Sequence, residues 1–316
     1  MIALVAGLLL GMAISLLTSA VPPVPEQVFR LAQAMIGVVI GADISLDSVA
    51  RMGKDAPTIV LITLATIGIS LAAGRLLALR RDVSRVTGAF ALIAGGASGV
   101  TVVARDLGAD DRVVVVVQYL RVLVVLLTLP LVTTLVFHPA TGQGALIASQ
   151  ARLGPSLGYV AVALALGLLA TRLLPFTASV VLVPMVVGAA LAATGWFGTV
   201  AVPAPIQWVA MGLIGLQVGL RFTRASLASI ARMLPTVLAL ILGMIAATAA
   251  VGSLLAVLTP IDGLTAYLAT TPGGLPAVLA TAADSGSDVT YVMAVQLVRL
   301  LVIMFLLPFL ARWLRR

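Results

Sequence analysis

Two arginines lie deep inside long apolar stretches of the chain, and each follows a glutamine by three residues. The first stretch carries Gln118 and Arg121, and Gln296 and Arg299 repeat the arrangement. Residues three apart share one face of a helix. An arginine at the centre of a bilayer costs about 2.5–3.5 kcal/mol on insertion scales, so such a side chain faces a partner or a cavity. Two inward guanidinium groups could hold a carboxylate through paired hydrogen bonds. Alternatively, each arginine binds a loop aspartate or the free carbonyls of a helix end.

A second constellation consists of two apolar segments, 91–101 and 270–277, that are too irregular for a continuous helix. Each contains a Gly-Gly pair, which lowers helix propensity by about 2 kcal/mol relative to Ala-Ala. The second also contains two prolines, which lack a backbone donor. We expect broken or re-entrant segments, whose free N–H groups could bind an anion and whose free C=O groups could bind a cation. Close helix packing or a kink is the structural alternative.

The two constellations together define the candidate substrate-binding residues. They are Gly95, Gly96, Ser98, Gly99, Thr101, Thr271, Pro272, Gly273, Gly274, Pro276, Gln118, Arg121, Gln296 and Arg299.

Acidic side chains near these segments are weaker candidates, for ion coupling. Asp106 and Asp284 follow the two broken segments, and Asp43 ends the second apolar span. Asp106 or Asp284 could pair with a buried arginine or hold a coupling ion, and Asp43 could bind an ion or a proton. Asp110 and Asp288 are instead predicted to cap the helices that follow them.

The composition is that of a helical membrane protein. Of 316 residues, 61% are hydrophobic and 9% are charged, whereas soluble domains have about 25% charged residues. A soluble enzyme is therefore strongly disfavoured, because too few polar residues are available to cover a core. A disordered chain would require low hydrophobicity.

The same composition provides few of the side chains that bind metals or cofactors. The chain has no cysteine and one histidine, His138, which lies beside Pro139 at a predicted helix end. A copper or non-haem iron oxygenase site needs at least two histidines, so we do not expect oxygen chemistry from this chain. We also expect no enzymatic activity, no cofactor and no metal. The net charge of +8 comes from arginines scattered between apolar runs, which indicates membrane topology rather than nucleic-acid binding.

Apolar stretches of the length needed for membrane helices recur along the chain, since a span needs about 20 apolar residues. They are residues 1–20, 28–44, 57–79, 112–137, 157–174, 178–194, 206–220, 234–258 and 288–310.

The chain is also a duplication, with a shift of 178 residues between the copies. The two Gly-Gly pairs superpose without a gap, as do the Gln-x-x-Arg patterns, and about a third of the positions between 32 and 130 are identical. Shared low complexity would not align Asp, Gln, Arg, Gly and Pro together. We therefore predict a first membrane repeat over residues 1–137, a linker over 138–155 and a second membrane repeat over 156–316.

Charge counting predicts the relative orientation of the repeats. If each broken segment enters and leaves on one side, or crosses twice as a hairpin, fourteen arginines share a side and three basic residues lie opposite. If each segment crosses once, the split is nine to eight. The positive-inside rule favours the first arrangement. The sequence thus predicts an all-α polytopic membrane protein with two inverted repeats, a plan common among secondary transporters.

The duplicated block resembles the AbrB family of bacterial membrane proteins. The resemblance rests on the Gly-Gly pair, an Asp-x-Gly-x-Asp pattern and the Gln-x-x-Arg pattern, in fullest form over residues 269–299, and it covers essentially the whole chain. The first repeat departs from it, with Gly-Gly-Ala-Ser where the second has Pro-Gly-Gly-Leu-Pro. The family is distantly similar to the cation:proton antiporter and bile-acid symporter superfamily, which implies an elevator-like core of inverted repeats. Family members have carried the labels ammonia monooxygenase and regulator of gene expression.

From these features we expect a multi-pass protein of the bacterial cytoplasmic membrane that transports a small anionic solute, coupled to H⁺ or Na⁺. The alternative is a membrane sensor or regulatory protein of the same fold, which affects gene expression indirectly and without transport. A channel would require an open pore. The expected partners are the solute, the lipid bilayer and the coupling ion, with no direct contact to nucleic acid. The oligomeric state stays open, and a homodimer is one alternative.

Overall fold

All regular structure in the described part of the chain is helical. The computed structural model describes residues 2–18, 24–42, 44, 46–93, 104–105, 107–138, 152–174, 179–198, 200 and 202–314. In chain order the helices are α1 (Ile2–Leu17), α2 (Glu26–Ala42), α3 (Leu46–Leu77), α4 (Arg85–Leu92), α5 (Asp111–Val132), α6 (Leu153–Ala170), α7 (Ser179–Ala193), α8 (Ala204–Gly219), α9 (Arg224–Ile230), α10 (Leu234–Leu258), α11 (Gly263–Thr270), α12 (Leu275–Ser285) and α13 (Val289–Leu314).

Each apolar stretch predicted from the sequence is a helix in the structure, which confirms an all-helical chain with membrane-like spans. In the described residues, five helices are long and apolar enough to cross a bilayer, and α1, α7 and α8 are shorter apolar helices. The largest shift is in α3, which begins at Leu46 rather than Pro57. Pro57 therefore lies inside α3 rather than at its start, because hydropathy marks where the chain becomes apolar and not where the helix begins.

Helix boundaries repeat with the same shift of 178 residues as the sequence. The start of α4 at Arg85 corresponds to the start of α11 at Gly263, and the start of α5 at Asp111 corresponds to that of α13 at Val289. The duplication is therefore present in the local structure as well as in the residue pattern.

Equivalent side chains begin the short helices of both repeats. Ser84 Oγ accepts a hydrogen bond from the N–H of Thr87 (3.1 Å) at the start of α4. Asp262 Oδ2 accepts one from the N–H of Thr265 (2.9 Å) at the start of α11. Such caps satisfy a backbone donor that the helix leaves free, and each contributes about 1 kcal/mol.

The predicted caps Asp110 and Asp288 are confirmed. Asp110 Oδ1 accepts hydrogen bonds from the N–H groups of Arg112 (3.1 Å) and Val113 (3.2 Å) at the start of α5. Asp288 Oδ1 accepts one from the N–H of Tyr291 (3.0 Å) at the start of α13. These carboxylates therefore begin the two helices that carry the Gln-x-x-Arg patterns.

The turns before α5 and α13 also match. Gly108 and Gly286 have φ angles of 76° and 71°, a left-handed conformation that glycine adopts without steric cost. In each turn the residue after the glycine donates its N–H to a carbonyl five residues earlier, at 3.0 and 3.2 Å. This is the Schellman arrangement that ends a helix.

The chain packs into two compact units, and each unit contains parts of both repeats. The first unit comprises Met1–Ala50, Leu129–Arg221 and Leu275–Tyr291, and the second comprises Arg51–Thr128, Phe222–Gly274 and Val292–Arg316.

In the first unit, glycines bring helix backbones of the two repeats into contact. A Cβ atom on Gly215 of α8 would lie 2.0 Å from the carbonyl oxygen of Leu4 in α1. A Cβ on the equivalent Gly37 of α2 would lie 2.2 Å from the carbonyl oxygen of Val181 in α7. Because α1 and α2 come from the first repeat and α7 and α8 from the second, small residues join the repeats, as is common between membrane helices.

In the second unit, glycines seat the short helices α4 and α11. A Cβ on Gly74 of α3 would lie 2.7 Å from the carbonyl oxygen of Gly88 in α4. A Cβ on Gly252 of α10 would lie 3.0 Å from the carbonyl oxygen of Ala266 in α11. Each short helix therefore packs closely on the preceding long helix of its own repeat.

The contact between α1 and α8 gives a matched pair of variants. Gly215→Ala forces the two backbones apart, and we expect it to destabilise the protein by about 1–3 kcal/mol, as overpacking does. Gly212 lies one turn earlier on α8, where a Cβ would meet the Ala3 carbonyl oxygen at an ordinary 3.6 Å. Gly212→Ala should therefore be neutral or gain up to about 1 kcal/mol from helix propensity. Thermal unfolding in detergent measures both, and equal melting temperatures would contradict the packing argument.

Candidate functional site

Both short helices of the second unit end at an extended residue within apolar sequence. Helix α4 ends at Leu92, and Ile93 follows with φ −63° and ψ 126°. Helix α11 ends at the equivalent Thr270, and Thr271 follows with φ −58° and ψ 132°. Residues 271–274 are not helical and separate α11 from α12. The interruption expected in the second repeat is therefore present, and the short helix of the first repeat ends at the equivalent place.

Pro272 explains why α11 stops at this point. A proline ring clashes with the helical conformation of the residue before it and favours an extended backbone there, which is the conformation of Thr271. Pro272 and Gly273 are both buried.

Gly274 lies in a place where close packing does not require a glycine. A Cβ added to Gly274 would lie 3.7 Å from Val122 Cγ1, an ordinary contact distance. Close helix packing therefore does not explain this glycine. The contact also places the second broken segment beside the helix that carries Arg121, since Val122 is the next residue. Pro276, two residues further on, is half-buried.

Gln296 and Arg299 of α13 hold the end of α11. Gln296 Nε2 donates to the carbonyl oxygens of Leu268, Ala269 and Thr271 at 3.1, 3.3 and 3.1 Å. Arg299 Nη1 donates to the Thr271 carbonyl at 3.0 Å, and its Nη2 donates to Gln296 Oε1. Both side chains are buried. Three carbonyls at the C-terminal end of α11, where a helix leaves such groups free, are thereby satisfied.

Gln118 and Arg121 of α5 hold the end of α4 in the same way. Gln118 Nε2 donates to the Phe90 carbonyl at 2.9 Å, and Arg121 Nη1 donates to the Leu92 carbonyl at 3.2 Å. The Gln118 and Arg121 side chains are 2% and 6% exposed. In both repeats, part of each guanidinium group therefore binds helix carbonyls, which is the structural alternative stated above.

The two guanidinium groups are close enough for their positive charges to repel each other. Within the described residues, neither Arg121 nor Arg299 forms an ion pair with a carboxylate. The Nε atom of Arg121 is buried and has no hydrogen-bond partner there. Buried charges and donors are costly when they are unpaired. The site therefore combines excess positive charge with an unused N–H donor.

The threonines of the second broken segment direct their hydroxyl hydrogens back into α11. Thr270 Oγ1 donates to the Ala266 carbonyl at 3.1 Å, and Thr271 Oγ1 donates to the Tyr267 carbonyl at 2.7 Å. The two hydroxyl groups can therefore accept a hydrogen bond from a ligand but have no hydrogen left to donate to it.

The remaining predicted residues divide into those that the structure describes and those that it does not. Asp284 is exposed on the last turn of α12. His138 ends the π-helical turn Thr133–Phe137 with a left-handed φ of 44°, in keeping with the predicted position at a helix end. The following candidates lie outside the described residues: Asp43, Gly95, Gly96, Ser98, Gly99, Thr101 and Asp106.

The sequence offered helix-end carbonyls as one alternative for the arginines without identifying which carbonyls they are, and two caps of the site were missed. The carbonyls of Leu92 and Thr271 receive the arginines, and a carbonyl group is common to all residue types. Ser84 and Asp262 were also missed, although each stands three residues before a threonine at equivalent places in the two repeats. A Ser or Asp immediately before a helical pattern is a usable signal for an N-cap.

Replacing each glutamine by leucine measures how much the helix ends depend on these bonds. Gln296→Leu removes the amide donor from the Leu268, Ala269 and Thr271 carbonyls and also removes the acceptor of Arg299 Nη2, whereas Gln118→Leu affects only the Phe90 carbonyl. Each buried group left unpaired costs about 1–3 kcal/mol, so we expect the larger loss of unfolding free energy for Gln296→Leu. Denaturant titration in detergent gives both values. Equal losses would show that the number of carbonyls bound does not set the stability.

Comparisons with known proteins identify the family of this chain. Residues 3–315 match the family described as transition state regulatory protein AbrB. The chain is similar to "Putative regulator AbrB" of Escherichia coli (strain K12), with 33% identity over 294 residues that cover 92% of this chain and 83% of that protein. It is also similar to "Uncharacterized protein YhjN" of Bacillus subtilis (strain 168), with 25% identity over 293 residues that cover 88% and 76%. No solved structure matches the chain. Because the family match extends over nearly the whole sequence, this chain belongs to the AbrB family.

Proposed function

We propose that this chain is a secondary transporter of the bacterial cytoplasmic membrane that moves a small anionic solute, coupled to H⁺ or Na⁺. In this proposal the two repeats are inverted and form an elevator-like carrier. The observation that supports it best is the pair of buried guanidinium groups of Arg121 and Arg299, each hydrogen-bonded to the end of a short helix. Broken helices of inverted repeats that meet near mid-membrane are the usual substrate sites of secondary transporters.

The guanidinium groups have donors to offer beyond those that hold the helix ends. An arginine carries five N–H groups, and the Arg121 Nε donor is unused within the described residues. A carboxylate or phosphate oxygen between Arg121 and Arg299 would accept charge-assisted hydrogen bonds. It would also reduce the repulsion between the two groups. A solute with two negative charges would neutralise the pair completely, whereas a monoanion would leave one positive charge.

Solute binding and transport can be tested on the purified protein. We expect small carboxylates or phosphates that bind the site to raise its melting temperature, which identifies a solute for uptake into proteoliposomes. Arg121→Ala and Arg299→Ala each remove a charge-assisted contact worth about 1.5–3 kcal/mol, so solute affinity should fall by roughly 10- to 100-fold. The matched control is Arg172→Ala, since Arg172 is exposed at the end of a span.

The outcomes separate the alternatives. Solute uptake that both site variants leave at the level of Arg172→Ala would remove the anion-site proposal. Binding of the solute without uptake would identify a sensor, a function that also fits the word regulator in one relative's name. Single-channel currents would identify a channel.

The inverted orientation has its own test, because the chain contains no cysteine. Lys54 and Arg232 occupy equivalent positions of the two repeats and are both exposed. Inverted repeats place them on opposite sides of the membrane. We therefore expect a membrane-impermeant maleimide added to intact cells to label Lys54→Cys and not Arg232→Cys, with the second labelled only after the membrane is opened. Labelling of both from the same side would mean that the repeats are parallel.

A further inference from the structure

We propose that the two Gln-x-x-Arg patterns replace a coupling cation at the ends of α4 and α11, so that Na⁺ does not bind at these helix ends. The inference rests on the proposed function, because it names the positive charges that balance an anionic solute at the same site. If Na⁺ is the coupling ion, this inference requires that it bind elsewhere in the protein.

The C-terminus of a short helix in a membrane is a natural cation site. Helix dipoles leave a partial negative charge there, and the C-terminal ends of broken helices coordinate Na⁺ or H⁺ in secondary transporters. The end of α11 offers the carbonyl oxygens of Leu268, Ala269 and Thr271, together with hydroxyl lone pairs on two threonines. Several oxygen ligands within one turn are what a hard cation requires.

In this chain those oxygens are already bound by side chains of α13. Gln296 Nε2 lies 3.1–3.3 Å from three of the carbonyl oxygens, and Arg299 Nη1 lies 3.0 Å from the Thr271 oxygen. Arg299 is therefore a cation at the position that a free ion would take, and it is covalently attached to the protein. A Na⁺ ion on the same carbonyl would meet the guanidinium charge at close range, in a place where little water is present to screen the repulsion.

The charge balance of the site leads to the same conclusion. Arg121 binds the end of α4 through the Leu92 carbonyl as Arg299 binds the end of α11. In the described residues, the side chains that are both buried and charged are these two arginines. A Na⁺ ion bound here would be a third positive charge, and the described part of the chain pairs no carboxylate with either arginine to balance it. An anionic solute would instead be balanced by the two fixed arginines.

The test measures Na⁺ binding to purified protein in detergent, without any transport. Melting temperatures are compared in NaCl and in choline chloride at equal concentration, so that chloride stays constant. We expect no difference for the unmodified protein. Arg299→Met removes the tethered charge and one of the two side-chain donors to the Thr271 carbonyl. Na⁺ at about ten times its dissociation constant should then raise the melting temperature by roughly 2–4 °C. Arg299→Lys keeps a positive charge at the site and should show no response to Na⁺.

Two results would overturn the inference. One is a Na⁺-dependent melting temperature in the unmodified protein that Arg299→Met leaves unchanged. The other is a folded Arg299→Met protein that does not respond to Na⁺. If Arg299→Met does not fold, Arg121→Met is measured in the same way, because that arginine makes a single bond to the end of α4 and its loss is less disruptive. Because no solute flux is measured, failure of this inference and failure of the transport proposal are distinguishable.

Discussion

A helix that ends within an apolar layer leaves backbone carbonyls that lipid cannot satisfy, and the second unit of this protein is organised around that constraint. Helices α4 and α11 each end at an extended residue, so their last carbonyls need donors from elsewhere in the chain. The donors come from the next long helix of the same repeat, through Gln118 and Arg121 or through Gln296 and Arg299. A short helix that ends inside the apolar layer therefore requires a polar pair on the next long helix of its repeat.

Hydrogen bonding alone, however, does not require a charge. The Gln118 amide satisfies the Phe90 carbonyl without one, and a second neutral amide could serve the remaining carbonyl at a much lower cost of burial than a guanidinium group. Both repeats instead bury an arginine, and the two charges repel each other. A structural role explains the hydrogen bonds, and the anionic ligand that we propose would explain the charge.

The spans, the duplication and the caps Asp110 and Asp288 could be predicted from the sequence because each depends on residue type and local spacing. The choice between a bound anion and a bound helix end at Arg121 and Arg299 could not. The partners are the carbonyls of Leu92 and Thr271, and a backbone carbonyl leaves no trace in the residue pattern. The early start of α3 was also missed, because hydropathy reports the apolar layer and not the ends of a helix.

The two arginines differ in the number of hydrogen bonds that they form at the helix end of their repeat. Arg299 binds the Thr271 carbonyl with one terminal nitrogen and Gln296 with the other. Arg121 makes a single bond to the helix end and keeps its Nε donor unused within the described residues. The second repeat also has the proline that fixes the end of α11, whereas the first has none at the equivalent position. The second repeat therefore has the helix end with more side-chain hydrogen bonds, and in the transporter that we propose the unused Nε donor of Arg121 would be available to a solute.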